Sequence, residues 1–330
     1  MTDERLRVAV VGAGGWGRQH VRAFSAREDV RVVGVAARTL AHAEQRAAGV
    51  GARGYDDVDR MLDVERPDLV SVCLPNTAHY APTLHLLERG VPLLVEKPLA
   101  FDLDEGRRLV AEAERRGTFF AINFNHRFAT PVRMARAAVD AGELGRLSFA
   151  TWRFGGEGGT GSGPDGNLIE TQCHGFDMLE HLAGPISSVS AEFTQFPDRG
   201  HSTVSIALAF ASGAVGSLVG SYDTSYAYPE THRLELDGDG GRALVVDTVR
   251  RFELARTGET TRRVWEAGYF DDRGRAFEAT FDDHLDALIP ALRAGGEPPV
   301  HARAGLRALE LAHAAIRSYA TGRRESVPSE

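Results

Sequence analysis

Val8-Ala9-Val10-Val11-Gly12-Ala13-Gly14-Gly15-Trp16-Gly17 joins a short apolar run to a stretch of helical spacing, Trp16–Arg27. It satisfies Gly-x-Gly-x-x-Gly between a strand and a helix, the one context in which that pattern is informative. Gly12 permits the tight turn, and Gly14 lets the backbone approach a pyrophosphate. Gly17 lets the helix pack closely, and the helix N-terminus favours the anion. The plain alternative, a structural glycine turn, lacks any reason for the spacing to fall between those two elements.

Outward from this stretch the pattern repeats. Candidate strands at Arg7–Val11, Arg31–Ala36, Leu69–Cys73, Val91–Val95 and Phe119–Asn123 alternate with helical patterns. These helices are Trp16–Arg27, Ala41–Ala48, Asp57–Asp63, Tyr80–Arg89 and Leu103–Arg116. Continuous Val/Leu-rich runs separated by helices indicate a parallel sheet covered on both faces, an α/β domain over residues 1–125. After a further helix at Pro131–Ala141, strands follow strands: Leu147–Phe154, Ser188–Phe196, Thr203–Phe210, Ala214–Tyr222, Arg233–Leu236, Ala243–Val246 and Arg250–Ala255. That order predicts an α+β domain with an antiparallel sheet over residues 126–330. Helices return at Leu168–Leu182, Phe277–Leu292 and Arg303–Ala320. The Gly-rich segment 155–166 reads equally as a flexible loop or as a cover over a site.

Composition narrows the partners. The 330 residues carry 38 basic and 46 acidic side chains, a formal charge of −8, with no long basic block. Nucleic acid and anionic membranes call for concentrated positive surface, so neither is expected. No run approaches the roughly 20 apolar residues of a membrane helix. No signal peptide is legible at Met1–Arg7, and the two cysteines read as reduced thiols, so the cytoplasm is the expected location.

Lys97 is the only lysine; the other 37 basic residues are arginine. It sits in Glu96-Lys97-Pro98, directly after an apolar run. A compact ammonium suits a small pocket holding a hydroxyl, where a wide guanidinium does not. At the end of the second candidate strand, the acid that usually bonds the ribose 2′-hydroxyl of NAD is missing, and Ala37-Arg38-Thr39 stands there instead. Arg38 could pair with a 2′-phosphate and Thr39 could donate to it, so NADP(H) is favoured over NAD(H). A solvated loop arginine is the alternative.

With these pieces assembled, the chain resembles the Gfo/Idh/MocA oxidoreductases, the glucose–fructose oxidoreductase and inositol dehydrogenase family. The matching residues are Gly12–Gly17, Pro75-Asn76-Thr77-Ala78-His79, Glu96-Lys97-Pro98, Asn125-His126-Arg127-Phe128 and Glu170-x-x-x-His174-x-x-Asp177. The resemblance implies an N-terminal Rossmann dinucleotide-binding domain and a C-terminal open-faced, mainly antiparallel β-sheet domain. It also implies a homodimer or homotetramer formed through that sheet. For chemistry it implies hydride transfer between nicotinamide and a secondary alcohol or ketone of a sugar, cyclitol or related polyol. Lys97 would polarise the oxygen and His174 would act as general acid and base. Gly12, Gly14, Gly15, Trp16, Gly17, Pro75, Asn76, His79, Glu96 and Lys97 would line the cofactor.

Other readings stay open beside it. Glu170, Asp177 and Arg127 are candidate substrate ligands. Asn167 and Glu170 also have capping-box spacing, Asp177 could orient His174 or be a solvated acid, and Arg127 could brace the domain junction. Tyr222, Tyr226, Tyr228 and His232 read better as aromatic strand packing than as substrate contacts. No third ligand accompanies His174 and Glu170, so no metal is expected. A sugar-nucleotide ketoreductase and a non-catalytic NADP(H) sensor are the alternative functions. Keeping both Lys97 and His174 argues against the sensor.

Overall fold

Parallel strands require crossovers, and the helices anticipated between the apolar runs supply them. The computed structural model describes residues 4–156 and 161–328. Residues 1–3 and residues 157–160 of the Gly-rich segment lie outside this description. Two compact units emerge: residues 1–124 with 281–306, and residues 125–280 with 307–330.

In the first unit, the strands are β1 (Leu6–Val11), β2 (Val30–Ala36), β3 (Arg53–Tyr55), β4 (Leu69–Val72), β5 (Leu93–Val95) and β6 (Phe120–Ile122). They alternate with α1 (Gly15–Ser25), α2 (Leu40–Ala48), α3 (Val58–Glu65), α4 (Tyr80–Glu88) and α5 (Leu103–Arg116). The sheet order is β3-β2-β1-β4-β5-β6, all parallel. This doubly wound order reverses between β1 and β4, and ligands bind outside the carboxyl ends of strands at that point. Strand β3, with its short Arg-Gly-Tyr sequence, carries too little apolar signal to be read in advance. The sheet core is aliphatic: Val8, Val10, Val35, Leu69, Val70, Val72, Leu93 and Ile122 are all fully buried.

Residues 281–306 depart from the sequence division, which assigned everything after residue 125 to one domain. The physical reason is specific pairing. His284 Nδ1 lies 2.8 Å from Asn123 Oδ1, Arg22 pairs with Asp282 at 2.7 Å, and Ala121 forms an isolated bridge with His301. Gly305 packs so tightly that a Cβ there would lie 2.4 Å from Ile122 Cδ1.

The second unit holds a nine-stranded sheet. Its strands are β7 (Leu147–Gly155), β8 (Ile186–Phe193), β9 (Thr203–Phe210), β10 (Val215–Ser221), β11 (His232–Gly238), β12 (Gly241–Val246), β13 (Arg251–Arg256), β14 (Arg262–Glu266) and β15 (Glu325–Ser326). The order is β14-β13-β12-β11-β7-β10-β9-β8-β15, antiparallel except for the β7–β10 pair. Ala150, Trp152, Phe154, Ile206, Leu218, Leu234 and Leu236 point to the buried face. The intervening positions, among them Phe149, Ser205, Ala207 and Val215, face outward and are exposed. The helices are α6 (Thr130–Asp140), α7 (Cys173–Ala183) and the short α8 (Asp272–Arg275). Helix α9 (Ala279–Arg293) starts as the chain returns to the first unit, and α10 (Arg303–Thr321) begins as it leaves again. No described helix is long and apolar enough to cross a membrane.

Candidate active site

Three sequence motifs leave three adjacent strands at the same edge of the parallel sheet: Gly12–Gly17 after β1, Leu74–His79 after β4 and Glu96–Pro98 after β5. The glycine turn is sterically enforced in part. Gly12 has φ +117°, and a Cβ there would fall 2.2 Å from the Cys73 carbonyl oxygen; a Cβ on Gly17 would fall 1.9 Å from the Gly12 oxygen. By contrast, a Cβ on Gly14 or Gly15 would meet nothing within 4 Å. Protein packing therefore demands glycine at 12 and 17, while 14 and 15 leave open backbone at the start of α1. That is the cradle an anionic pyrophosphate fits.

Around this turn, Trp16 stacks on Phe281, ring centroids 5.7 Å apart. Arg46 of α2 donates from Nε and Nη2 to the Ala13 carbonyl at 3.2 and 3.1 Å, tying the helix to the turn. Sequence reasoning missed Arg46 because one arginine among 37 carries no signal. Arg38 and Thr39 are exposed at the end of β2. Thr39 occupies the N-cap position of α2 but makes no side-chain cap bond, so its hydroxyl is not consumed by the helix.

Lys97 is half-buried and its peptide bond to Pro98 is cis. The carboxylate of the preceding residue, Glu96, is 4% exposed and fully engaged. Its Oε1 lies 2.7 Å from His20 Nε2 and accepts from Asn123 Nδ2 at 2.6 Å; its Oε2 accepts from the Lys97 backbone N–H at 3.3 Å. Burial by itself disfavours the Glu96 carboxylate, but His20, with Lys97 and Asn123, holds its pKa below the usual range. Burial likewise opposes a charged His20 ring, yet Cys73 and Glu96 outweigh it and push the pKa up to about 10. His79, expected beside the cofactor, is 1% exposed, and its ring spans the Pro98 and Leu74 carbonyl oxygens, 2.8 Å from each. It clamps the β4 loop to the lysine turn, while Pro75 and Asn76 stand on the outer part of that loop.

In the second unit, His174 lies in the first turn of α7, buried, with its ring stacked on His126 at 4.1 Å and 9°. Gly175 lets this helix lie on the sheet: a Cβ there would fall 2.6 Å from Trp152. Glu170 precedes α7 on a π-helical turn, Asn167–Thr171, rather than on the same α-helix as His174. The capping-box reading is corrected. Asn167 donates to the Ser202 and Gly220 carbonyls, and Glu170 accepts from the Ser162 N–H at 2.8 Å, holding the end of the Gly-rich segment.

Arg127 and Asp177, both expected at substrate, meet each other in a two-pronged pair, Nε–Oδ2 at 2.9 Å and Nη2–Oδ1 at 2.5 Å. Burial raises the Asp177 pKa against the opposing pull of Arg127. The pair braces the 3₁₀ turn Asn125–Phe128 against α7. Tyr222 does pack, its hydroxyl 2.7 Å from Thr171 Oγ1, and burial pushes its pKa up to about 12. Tyr226 and Tyr228 are exposed, so the strand-packing reading fails for them; they follow β10 on a loop. His232 packs against Phe154, and burial, reinforced by His126, drives its pKa down to about 2. Among the described residues, no three His, Cys, Asp or Glu side chains are gathered as a metal site.

Residues 6–124 match the model of the oxidoreductase family with an NAD-binding Rossmann fold, and residues 132–244 match the Gfo/Idh/MocA C-terminal domain. The chain belongs to the Gfo/Idh/MocA oxidoreductase family. Among curated relatives, D-glucoside 3-dehydrogenase of Escherichia coli is 34% identical over 59% of this chain and 59% of its own length. Inositol 2-dehydrogenase of Rhizobium meliloti is 28% identical over 98% of this chain and 99% of its own length. Among solved structures, levoglucosan dehydrogenase in complex with NADH and levoglucosan superposes with a TM-score of 0.90 at 19% identity, covering 98% of this chain and 100% of that one. That likeness establishes a shared fold.

Proposed function

We propose that this protein is an NAD(P)-dependent dehydrogenase that interconverts a secondary alcohol and a ketone on a sugar, cyclitol or related polyol. The observation that carries the reading is the fixed Glu96-Lys97-Pro98 turn, which leaves the sheet at the same edge as a glycine turn shaped for a dinucleotide. Oxidising such an alcohol removes a hydride from carbon and a proton from oxygen. A bound nicotinamide supplies the hydride acceptor. The chain's own residues manage the oxygen. The Lys97 ammonium donates to it and stabilises the developing alkoxide. His174 takes the hydroxyl proton and returns it in the reverse direction. Relatives named for D-glucosides, inositol and D-apiose support the substrate class.

Two finer assignments belong to the same proposal. Arg38 and Thr39 would receive a 2′-phosphate, which favours NADP(H). The exposed outer face of the nine-stranded sheet, with Phe149, Val215 and Val264, would meet a second copy of the chain. The defining experiment follows nicotinamide absorbance with NAD+ or NADP+ and a panel of myo-inositol, D-glucose, methyl glucoside and levoglucosan. Steady reduction with at least one sugar is expected. Tight cofactor binding with no turnover on any of them would contradict the dehydrogenase reading.

A further inference from the structure

A turn rich in glycine does little to hold its own shape, because Gly12, Gly14 and Gly15 have no Cβ to restrict their backbones. Its peptide groups are held from outside instead. The Gly12 N–H donates to the Ala36 carbonyl at 2.8 Å. The Gly12 carbonyl oxygen is packed against Gly17, where a Cβ would fall 1.9 Å from it. The Gly14 carbonyl receives the Arg18 N–H at 2.9 Å as α1 begins. Between these fixed points stands the peptide that joins Ala13 to Gly14. Its carbonyl oxygen is taken by a side chain from another element. Arg46 of α2, 33 residues further along the chain, donates to it from both Nε and Nη2.

Arg46 is half-buried, and its two bonds, at 3.2 and 3.1 Å, converge on that one acceptor. Two donors of a rigid fork fix orientation as well as distance. The Ala13–Gly14 peptide is trans, so its C=O and N–H point in opposite directions. Holding the oxygen on the α2 side therefore turns the Gly14 N–H away from α2. Rotating this peptide would exchange the two and put a partly negative oxygen where the N–H stood. The exposed backbone of Gly14 and Gly15, where an added Cβ would meet nothing within 4 Å, follows directly. An anion seated there is attracted by N–H groups and repelled by a carbonyl oxygen.

We infer that Arg46 is a positioning residue of the cofactor site: by holding the Ala13 carbonyl from α2, it keeps that oxygen turned away from the pyrophosphate. The inference rests on the dinucleotide site of the proposed function. Arg46 acts through the Ala13–Gly14 peptide and is not itself a phosphate ligand.

The test is ligand binding to the full chain. NADH is followed by its fluorescence, and ADP-ribose and adenosine by their displacement of NADH. ADP-ribose contains the pyrophosphate and adenosine does not. Arg46→Met should weaken NADH and ADP-ribose by about tenfold, the size of a lost charge-assisted hydrogen bond. Adenosine affinity, and kcat at saturating cofactor with a sugar that turns over, should stay within about twofold of wild type. A loss of the same size for adenosine, as from a distorted α2, overturns the inference. Salt separates positioning from direct charge. The ratio of mutant to wild-type Kd should be the same at about 50 mM and about 500 mM NaCl, whereas a guanidinium acting on the phosphates through space counts for less as salt rises. A ratio that fades with salt overturns the inference. If Arg46→Met does not fold, Arg46→Lys decides. Its ammonium replaces the two-pronged bond by a single donor, so ADP-ribose should weaken by about threefold with adenosine unchanged. Wild-type affinity for ADP-ribose there, or equal losses for both ligands, overturns the inference. A wild-type chain that binds neither NADH nor ADP-ribose refutes the proposed cofactor site and this inference together. Wild-type binding with undiminished affinity in Arg46→Met refutes only the role of Arg46.

Discussion

Lys97 could be singled out from composition because every other basic side chain in the sequence is arginine, and a guanidinium is too wide for a small pocket that holds a hydroxyl. The glycines were legible for a related reason, since each of Gly12 and Gly17 has a single steric purpose that sequence spacing reveals. Arg127 and Asp177 were not legible. They are 50 residues apart, and only the fold shows that each charge is answered by the other. Arg38 was singled out by a missing acid at a defined place, and its role toward a 2′-phosphate is a proposal that cofactor titration tests. Arg38→Ala should weaken NADPH binding by about tenfold or more, the loss of a charge-assisted contact, while NADH binding changes little. Titrating both cofactors against both proteins checks this, and equal losses would remove Arg38 from the 2′-phosphate.

The elements of the parallel sheet followed from apolar runs and helical spacing, but two local features did not. Strand β3 is three residues long and half polar, and the turn before α7 winds as a π-helix because Asn167 is drawn into the sheet by the Ser202 and Gly220 carbonyls. A capping box and a side chain buried in a sheet present the same letters. The β1–α1 junction gives a sharp test at this scale. Gly17→Ala drives a Cβ into the Gly12 carbonyl and should destabilise the protein by about 3 kcal/mol. Gly14→Ala meets no atom, so it should leave stability unchanged and weaken cofactor binding. Urea denaturation and cofactor titration of the two variants check the contrast. Equal destabilisation by both would mean that packing, rather than a ligand, demands glycine at 14.

Across the whole chain, the division at residue 125 was visible as a change from alternating βα units to successive strands. The return of residues 281–306 was not, since it depends on His284 finding Asn123 and Asp282 finding Arg22. Buried His20 and half-buried His181 and His232 give the two units opposite pH responses. His232 and His181, pushed down to about 2 and about 4, stay neutral in the folded chain but take up protons near pH 6.5 when unfolded. The second unit should therefore lose stability as pH falls below 6.5, by about 2 kcal/mol per histidine at pH 5. His20, raised to about 10, contributes stability that is complete below pH 6.5 and is lost as pH rises through 10, so alkali should loosen the first unit. Amide hydrogen exchange at pH 5, 7 and 10, resolved by unit, checks both signs; parallel behaviour of the two units would refute this assignment. The central claim is that the chain is a dehydrogenase worked by its one lysine. The most direct test is turnover of Lys97→Met beside its cofactor affinity. In Lys97→Met, kcat should fall by about a thousandfold with Kd for the nicotinamide cofactor essentially unchanged. Wild-type turnover in Lys97→Met would contradict it.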